Sequence, residues 1–217
     1  MARYLTKTRF KIAMECPTKL YYTGKAQYAN LKNNDTFLQA LAEGGYQVGE
    51  LAKAYFPGGI DIGVLDYDEA VRQTSDLLTM DRVIIFEAAF RSASFFIRAD
   101  IVIKDMNHLD LIEVKSKSNN SQGIQGMMSK SGQIKSSWRP YIEDVAFQKY
   151  VVSLARPEFT VTASLMTVDK DACCPSDGLN QKFRIVRDSE GRKIVVLNSA
   201  LTQAEANHRI LRQDNVD

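Results

Sequence analysis

The first third of the chain carries apolar residues at helical spacing, interrupted by polar capping and turn signals. Thr8 is a plausible N-cap for a short helix over residues 9–15, which Pro17 would end or restart. Asn34, Asp35 and Thr36 offer a second cap before TFLQALAEGGYQVGELAKAYF, where Phe37, Leu41, Val48, Leu51, Ala52 and Tyr55 recur on one helical face. Gly44-Gly45 weakens that helix in its middle, and Pro57-Gly58-Gly59 closes it. Asp68 reads as the cap of a third helix, EAVRQTSDLLTM.

Beyond Asp81 the pattern turns to short β-branched and aromatic runs. Val83–Phe90, Ser94–Lys104 and Leu109–Lys117 predict three strands, the last two joined by a hairpin turn through residues 105–108. Residues 116–135, rich in Ser, Gly, Asn and Lys, predict a mobile loop. A helix follows over about 138–155, and then a strand at Phe159–Val168. Helices, three strands, a helix and a strand in that order predict an α/β or α+β sandwich. After Asp169 the pattern is turn-like, with a hairpin around Asp188–Gly191 and a polar tail from about Ala200.

Composition narrows the class. The 217 residues are 45% hydrophobic and 25% charged, which fits a globular chain with one good-sized core. No run of eighteen apolar residues is present, and the N-terminus has no secretion-signal pattern. Three cysteines, Cys16, Cys173 and Cys174, make no disulfide framework and fit a reducing, cytoplasmic setting. Charge is unevenly spread: residues 1–33 hold seven Lys/Arg against Glu15, while residues 34–81 hold nine acids against Lys53 and Arg72. The basic segment, interleaved with Tyr4, Phe10, Tyr21, Tyr22 and Tyr28, suits either a nucleic-acid backbone or an amphipathic helix whose aromatics face the core.

Chemistry concentrates in RADIVIKDMNHLDLIEVKSKS. Period-two alternation puts Glu113 and Lys115 on one face of a strand and Val114 on the other, and the hairpin can bring Asp100 beside them. Two carboxylates with the Val114 carbonyl form a hard oxygen site suited to Mg²⁺ or Mn²⁺. Lys115 would orient a nucleophile or offset charge on a phosphoryl transition state. An exposed ion pair between Glu113 and Lys115 is the other reading of the same residues. His108, in a turn, and His208, in the tail, make no zinc site.

This spacing, with TRFKIAMECPTKLYYTG, GGYQVGELAKAYFPGGIDI, FEAAFRSASFFIRADIVIK and IEDVAFQKYVVS, resembles the PD-(D/E)XK nuclease superfamily. The likeness extends over about residues 6–155 and is nearest to RecB-type exonucleases and their CRISPR-associated relatives. It implies a restriction-endonuclease-like αβββαβ core with added N-terminal helices over residues 1–170, followed by a C-terminal extension over 171–217. It makes Asp100 and Glu113 metal-binding carboxylates and Lys115 the signature lysine. Glu87 matches an acidic position, and Glu50 stands near where relatives place a metal-binding histidine. Gln148 matches the glutamine of a Gln-x-x-x-Tyr motif near DNA; its tyrosine is displaced here to Tyr150, so only Gln148 carries over cleanly. Arg9, Lys11 and Lys117 are further candidates for nucleic-acid contact.

Cys16-Pro17 resembles relatives that bind a [4Fe–4S] cluster, but adjacent Cys173 and Cys174 do not supply the remaining ligands, so no cluster is expected and Cys16 should pack as a small buried hydrophobe. Residues 163–196 resemble a segment that in relatives continues into a further region, which implies a shortened form or a separate protein partner. The expected activity is divalent-metal-dependent hydrolysis of phosphodiester bonds in DNA, with a preference for single strands or ends, or in RNA; the alternative is an inactive nucleic-acid-binding module of the same fold. A protein–protein scaffold is the third reading.

Overall fold

A computed structural model describes residues 3–28, 35–187 and 193–217. Two short N-terminal helices, α1 (Lys7–Glu15) and α2 (Pro17–Tyr22), are separated by Cys16, whose extended backbone breaks the first before Pro17 opens the second. The cap of α1 is Thr6, not Thr8: its hydroxyl accepts the Arg9 N–H at 3.4 Å. Asp35 caps α3 (Thr36–Ala54), accepting from Phe37 and Leu38 N–H at 2.9 and 3.1 Å. That helix runs unbroken through Gly44-Gly45, held by the buried Leu51, Ala52 and Tyr55 at its far end. A two-residue strand, β1 (Ile60–Asp61), precedes α4 (Tyr67–Leu77), which is capped by Asp66 rather than Asp68.

Three long antiparallel strands follow: β2 (Arg82–Ser92), β3 (Phe95–Asp105) and β4 (His108–Asn119). The expected turn between β3 and β4 is present, with Met106 at φ +53°. His108 is not part of it. It opens β4, half-buried, with Nε2 2.9 Å from Thr162 Oγ1.

Residues 116–135 are ordered rather than a free loop. β4 continues to Asn119 and a single helical turn, α5 (Ile124–Met127), buries Gly126 and Met127. Lys135 Nζ then ties the segment back by donating to Gly126 O at 2.7 Å.

Helix α6 (Arg139–Ala155) leads into β5 (Thr160–Asp169), parallel to β4. The hairpin strands β6 (Phe183–Arg187) and β7 (Lys193–Leu197) pair with each other, while the expected turn at Asp188–Gly191 lies outside the described residues. The expected polar tail is instead a short helix, α7 (Gln203–Asn207), and a strand, β8 (Leu211–Asn215), which pairs antiparallel with β5. Both sides of residue 170 therefore contribute to one six-stranded mixed sheet, ordered β1-β2-β3-β4-β5-β8.

The sheet separates two cores. On one side α1, α4 and α6 cover Ile85, Ile97, Leu109, Leu111 and Leu165; on the other α3 and the β6–β7 hairpin cover Phe86, Ile101, Ile112 and Met166. The molecule is thus mixed α/β, with helices on both faces of the sheet. No helix among the described residues is long and apolar enough to cross a membrane.

Candidate active site

The sheet opens at one point. Pairing of β3 with β4 runs from Asp105↔His108 to Ile101↔Ile112 and stops there. The Val114 N–H, which would otherwise continue the ladder, donates to Asp100 Oδ2 at 2.8 Å. On the other side of β3 the register with β2 is unbroken in number, but Glu87 and Asp100, which face each other, make no ladder pair. Glu87 has φ +56°, a conformation that costs an ordinary side chain about 1–2 kcal/mol and that clusters at functional positions.

The alternation of both strands slips at these two residues. Val83 and Ile85 face the same core as Ala88 and Phe90, and Ile97 and Ala99 the same core as Val102. Asp100 thereby borders both faces of the sheet.

On the α1/α6 face lies a network of charges. Lys7, the first residue of α1, donates to Glu113 Oε2 at 2.7 Å, Asp100 Oδ1 at 3.1 Å and Arg98 O at 3.0 Å. Lys115 pairs with Glu113 Oε1 and, at 3.1 Å, with Asp144 Oδ2, which also holds Lys11 at 2.6 Å. Gln148 Nε2 reaches Glu113 Oε2 at 2.8 Å and Asp144 Oδ1 at 3.3 Å. Glu113, Asp144 and Gln148 are fully buried.

Burial alone would push the Glu113 carboxyl up, but the Lys7 and Lys115 ammonium groups override it and hold it well below the usual carboxylate range. The same reckoning raises Lys7 and Lys115, whose desolvation is outweighed by the surrounding carboxylates. Asp100 is pushed upward, first by burial and then by Glu113.

On the α3 face a cleft of about 610 Å³ runs between α3 and β7. Asp100, Glu87 and Val114 line it, together with Gly45, Gly49 and Glu50 of α3 and Lys193 of β7. Burial and the neighbouring Asp100 push Glu87 up to about 7. Glu50 reaches this cleft but is paired with Lys53 at 2.9 Å, and Lys53 also holds Asp61 at 2.6 Å.

Asp100, Glu113, Lys115, Gln148 and Lys11 thus come together, and Glu87, Val114 and Glu50 border the adjoining cleft. The others lie apart. Arg9 donates to Tyr4 O at 2.6 Å. Lys117, in a two-residue bulge of β4, sits over Trp138 and Tyr141 at 4.8 and 5.3 Å. Tyr150 is 54% exposed on the outer face of α6, beside Phe95. Of the N-terminal aromatics, Tyr4 and Phe10 pack on the core while Tyr21, Tyr22 and Tyr28 are exposed. Cys16 is half-buried rather than fully packed, and Cys173 and Cys174 are exposed.

Two members of the network, Lys7 and Asp144, were not singled out by sequence. Asp144 had a readable signal: it lies four residues before Gln148, and both interrupt the apolar face made by Val145, Phe147, Val151 and Val152. Lys7 had none beyond its charge. No protein-family model, curated protein or solved structure matches this chain.

Proposed function

We propose that the chain is a divalent-metal-dependent nuclease of the PD-(D/E)XK type, with Asp100, Glu113 and Lys115 at its centre and a restriction-endonuclease-like core. The observation that carries this is the convergence of those three side chains and Gln148 where β3 and β4 part. The elements from α4 through β5 surround that point in the order αβββαβ once the single helical turn α5 between β4 and α6 is set aside.

The donor set suits a hard cation. Glu87 and Asp100 border one cleft, and burial together with the neighbouring Asp100 makes Glu87 resist ionisation. Asp100 and Glu113, with the Val114 carbonyl, would hold Mg²⁺ or Mn²⁺, and Glu87 stands beside them in the adjoining cleft. The donors are not a ready cage: among the described residues no group of three or more His, Cys, Asp or Glu side chains stands at ligand spacing, and Lys7 lies between two of the carboxylates. When bound, such an ion supplies electrophilic assistance at a scissile phosphate.

The protein's own groups have defined tasks in this reading. Lys115, charged throughout the physiological range, places a fixed positive charge beside the site for a phosphoryl transition state. Gln148 and Asp144 hold Glu113 and Lys115 in place from α6. The cleft over Glu87 and Asp100, with Lys193 on its wall, receives the DNA backbone.

The test is cleavage of end-labelled single- and double-stranded DNA with Mn²⁺, Mg²⁺ or EDTA, beside Asp100→Ala and Lys115→Ala. Cleavage that needs the metal and disappears in both variants is expected. DNA binding without cleavage by the wild type would favour the inactive binding module, and cleavage surviving in both variants would remove these residues from the active site.

A further inference from the structure

The Lys7 ammonium stands where a cation would. It is held by three acceptors, Glu113 Oε2, Asp100 Oδ1 and Arg98 O, at 2.7–3.1 Å, and its side chain is only 18% exposed. The network it completes is already balanced, three ammonium groups (Lys7, Lys11, Lys115) facing three carboxylates (Asp100, Glu113, Asp144). A divalent ion entering that arrangement would add two positive charges to a site with no net charge to attract them. Withdrawing Lys7 leaves the same three carboxylates facing two ammonium groups, a net negative charge that attracts a cation.

The backbone permits that withdrawal. Lys7 is anchored by main-chain bonds around it: Leu5 N–H donates to Ser94 O at 2.8 Å, Phe96 N–H to Leu5 O at 3.2 Å, and Thr6 caps α1. The helix can stay docked on β3 while the four-carbon side chain alone changes rotamer.

We propose that Lys7 is a resident counter-ion of the Asp100–Glu113 pair, and that a divalent cation binds there only by displacing its ammonium group. This rests on the metal-site reading above and adds to it a competitor supplied by the chain itself. Apparent metal affinity is then reduced by the fraction of molecules in which Lys7 is inserted.

The experiment is Mn²⁺ titration by isothermal calorimetry of the full chain, without nucleic acid, for the wild type, Lys7→Met, Lys7→Arg and Asp100→Asn. Lys7→Met is expected to bind at least about tenfold more tightly than wild type, Lys7→Arg to stay near wild type because the charge remains, and Asp100→Asn to lose binding. Equal or weaker binding by a folded Lys7→Met, with wild-type binding intact, overturns the displacement while leaving the metal site standing. Absence of binding in every variant overturns both.

A second measurement needs no variant. Acylation of Lys7 by an amine-selective reagent, read by mass spectrometry on the wild-type chain, should rise several-fold when Mn²⁺ saturates the site. Unchanged protection of Lys7 under Mn²⁺ that calorimetry shows to be bound would also overturn the displacement.

Discussion

Replacing Glu113 by Gln should be among the more destabilising near-isosteric changes in this molecule. Glu113 has no exposed surface, and its two oxygens accept from Lys7, Lys115 and Gln148. The amide keeps the shape but removes the charge between two ammonium groups whose side chains are each only 18% exposed. Breaking a buried ion pair on one side costs about 3–5 kcal/mol, because the remaining charge is left uncompensated. For a domain of this size that corresponds to a fall in Tm of roughly 6–20 °C.

The assay is urea unfolding in EDTA, followed by fluorescence of the single tryptophan, Trp138, which is buried beside Tyr141. Lys115→Met in the Glu113→Gln background should recover part of the loss, a coupling of about 0.5–3 kcal/mol. The pH dependence carries a sign. The folded carboxyl lies below its unfolded value of about 4.3, so its contribution is complete above that pH and is lost only as pH falls through the lower folded value. The gap between wild type and Glu113→Gln should therefore be flat from about pH 8 to 5 and shrink in acid. A cost below about 1 kcal/mol, typical of an exposed pair, would refute the buried network.

Other consequences follow from the same geometry. Glu87 binds its proton more tightly folded than unfolded, so stability should fall by roughly 1–3 kcal/mol as pH rises from about 4.5 to about 7, and Glu87→Gln should flatten that slope in urea midpoints measured in EDTA. Glu87→Gly should relieve the φ +56° backbone and gain about 1 kcal/mol at pH 8; a less stable variant would show that the side chain, not the backbone, governs this position. A Cβ at Gly59 would overlap the Phe86 ring, so Gly59→Ala should cost about 1–3 kcal/mol in the same assay.

Much of the sheet was legible because its strands obey local rules. The runs at Val83–Phe90, Ser94–Lys104 and Leu109–Lys117 are β-branched, aromatic and bounded by turns, and the observed strands differ from them by only one or two residues at an end. Two caps were misplaced by two residues because Thr6 and Thr8, or Asp66 and Asp68, are chemically equal candidates. What decides is which backbone N–H comes within reach, and Asp68 is turned instead toward Arg91.

Residues 116–135 read as a loop because Ser, Gly and Asn favour turns. Their order comes from burial of Met127 and from Asn119 Nδ2 donating to Gly123 O at 2.9 Å, contacts that composition does not encode. The C-terminal LRQDN has no alternation. It is a strand because the free edge of β5 pairs with it.

The site divides along the same line. Asp100, Glu113 and Lys115 stood out as charges in otherwise apolar strands, and Gln148 only through the family resemblance. Lys7 meets Asp100 and Glu113 across separations of 93 and 106 residues, so its role depends on where α1 docks.

That docking matters because the opening of the sheet falls on a single residue. Asp100 loses its partner on β2, where Glu87 turns to positive φ, and its partner on β4, where the ladder ends at Ile112. Its carboxylate then stands in for the missing ladder by accepting from Val114, while its other oxygen reaches through to Lys7 on the opposite face. Glu87 borders only the cleft, and Glu113 lies wholly within the α6-side network. Asp100 belongs to both. Substitution there should disturb the register of three strands as well as the site, whereas Glu87→Gln should spare the fold. The unequal response of these two facing carboxylates follows from the geometry itself: one ends a ladder and bridges two faces of the sheet, and the other only looks into the cleft.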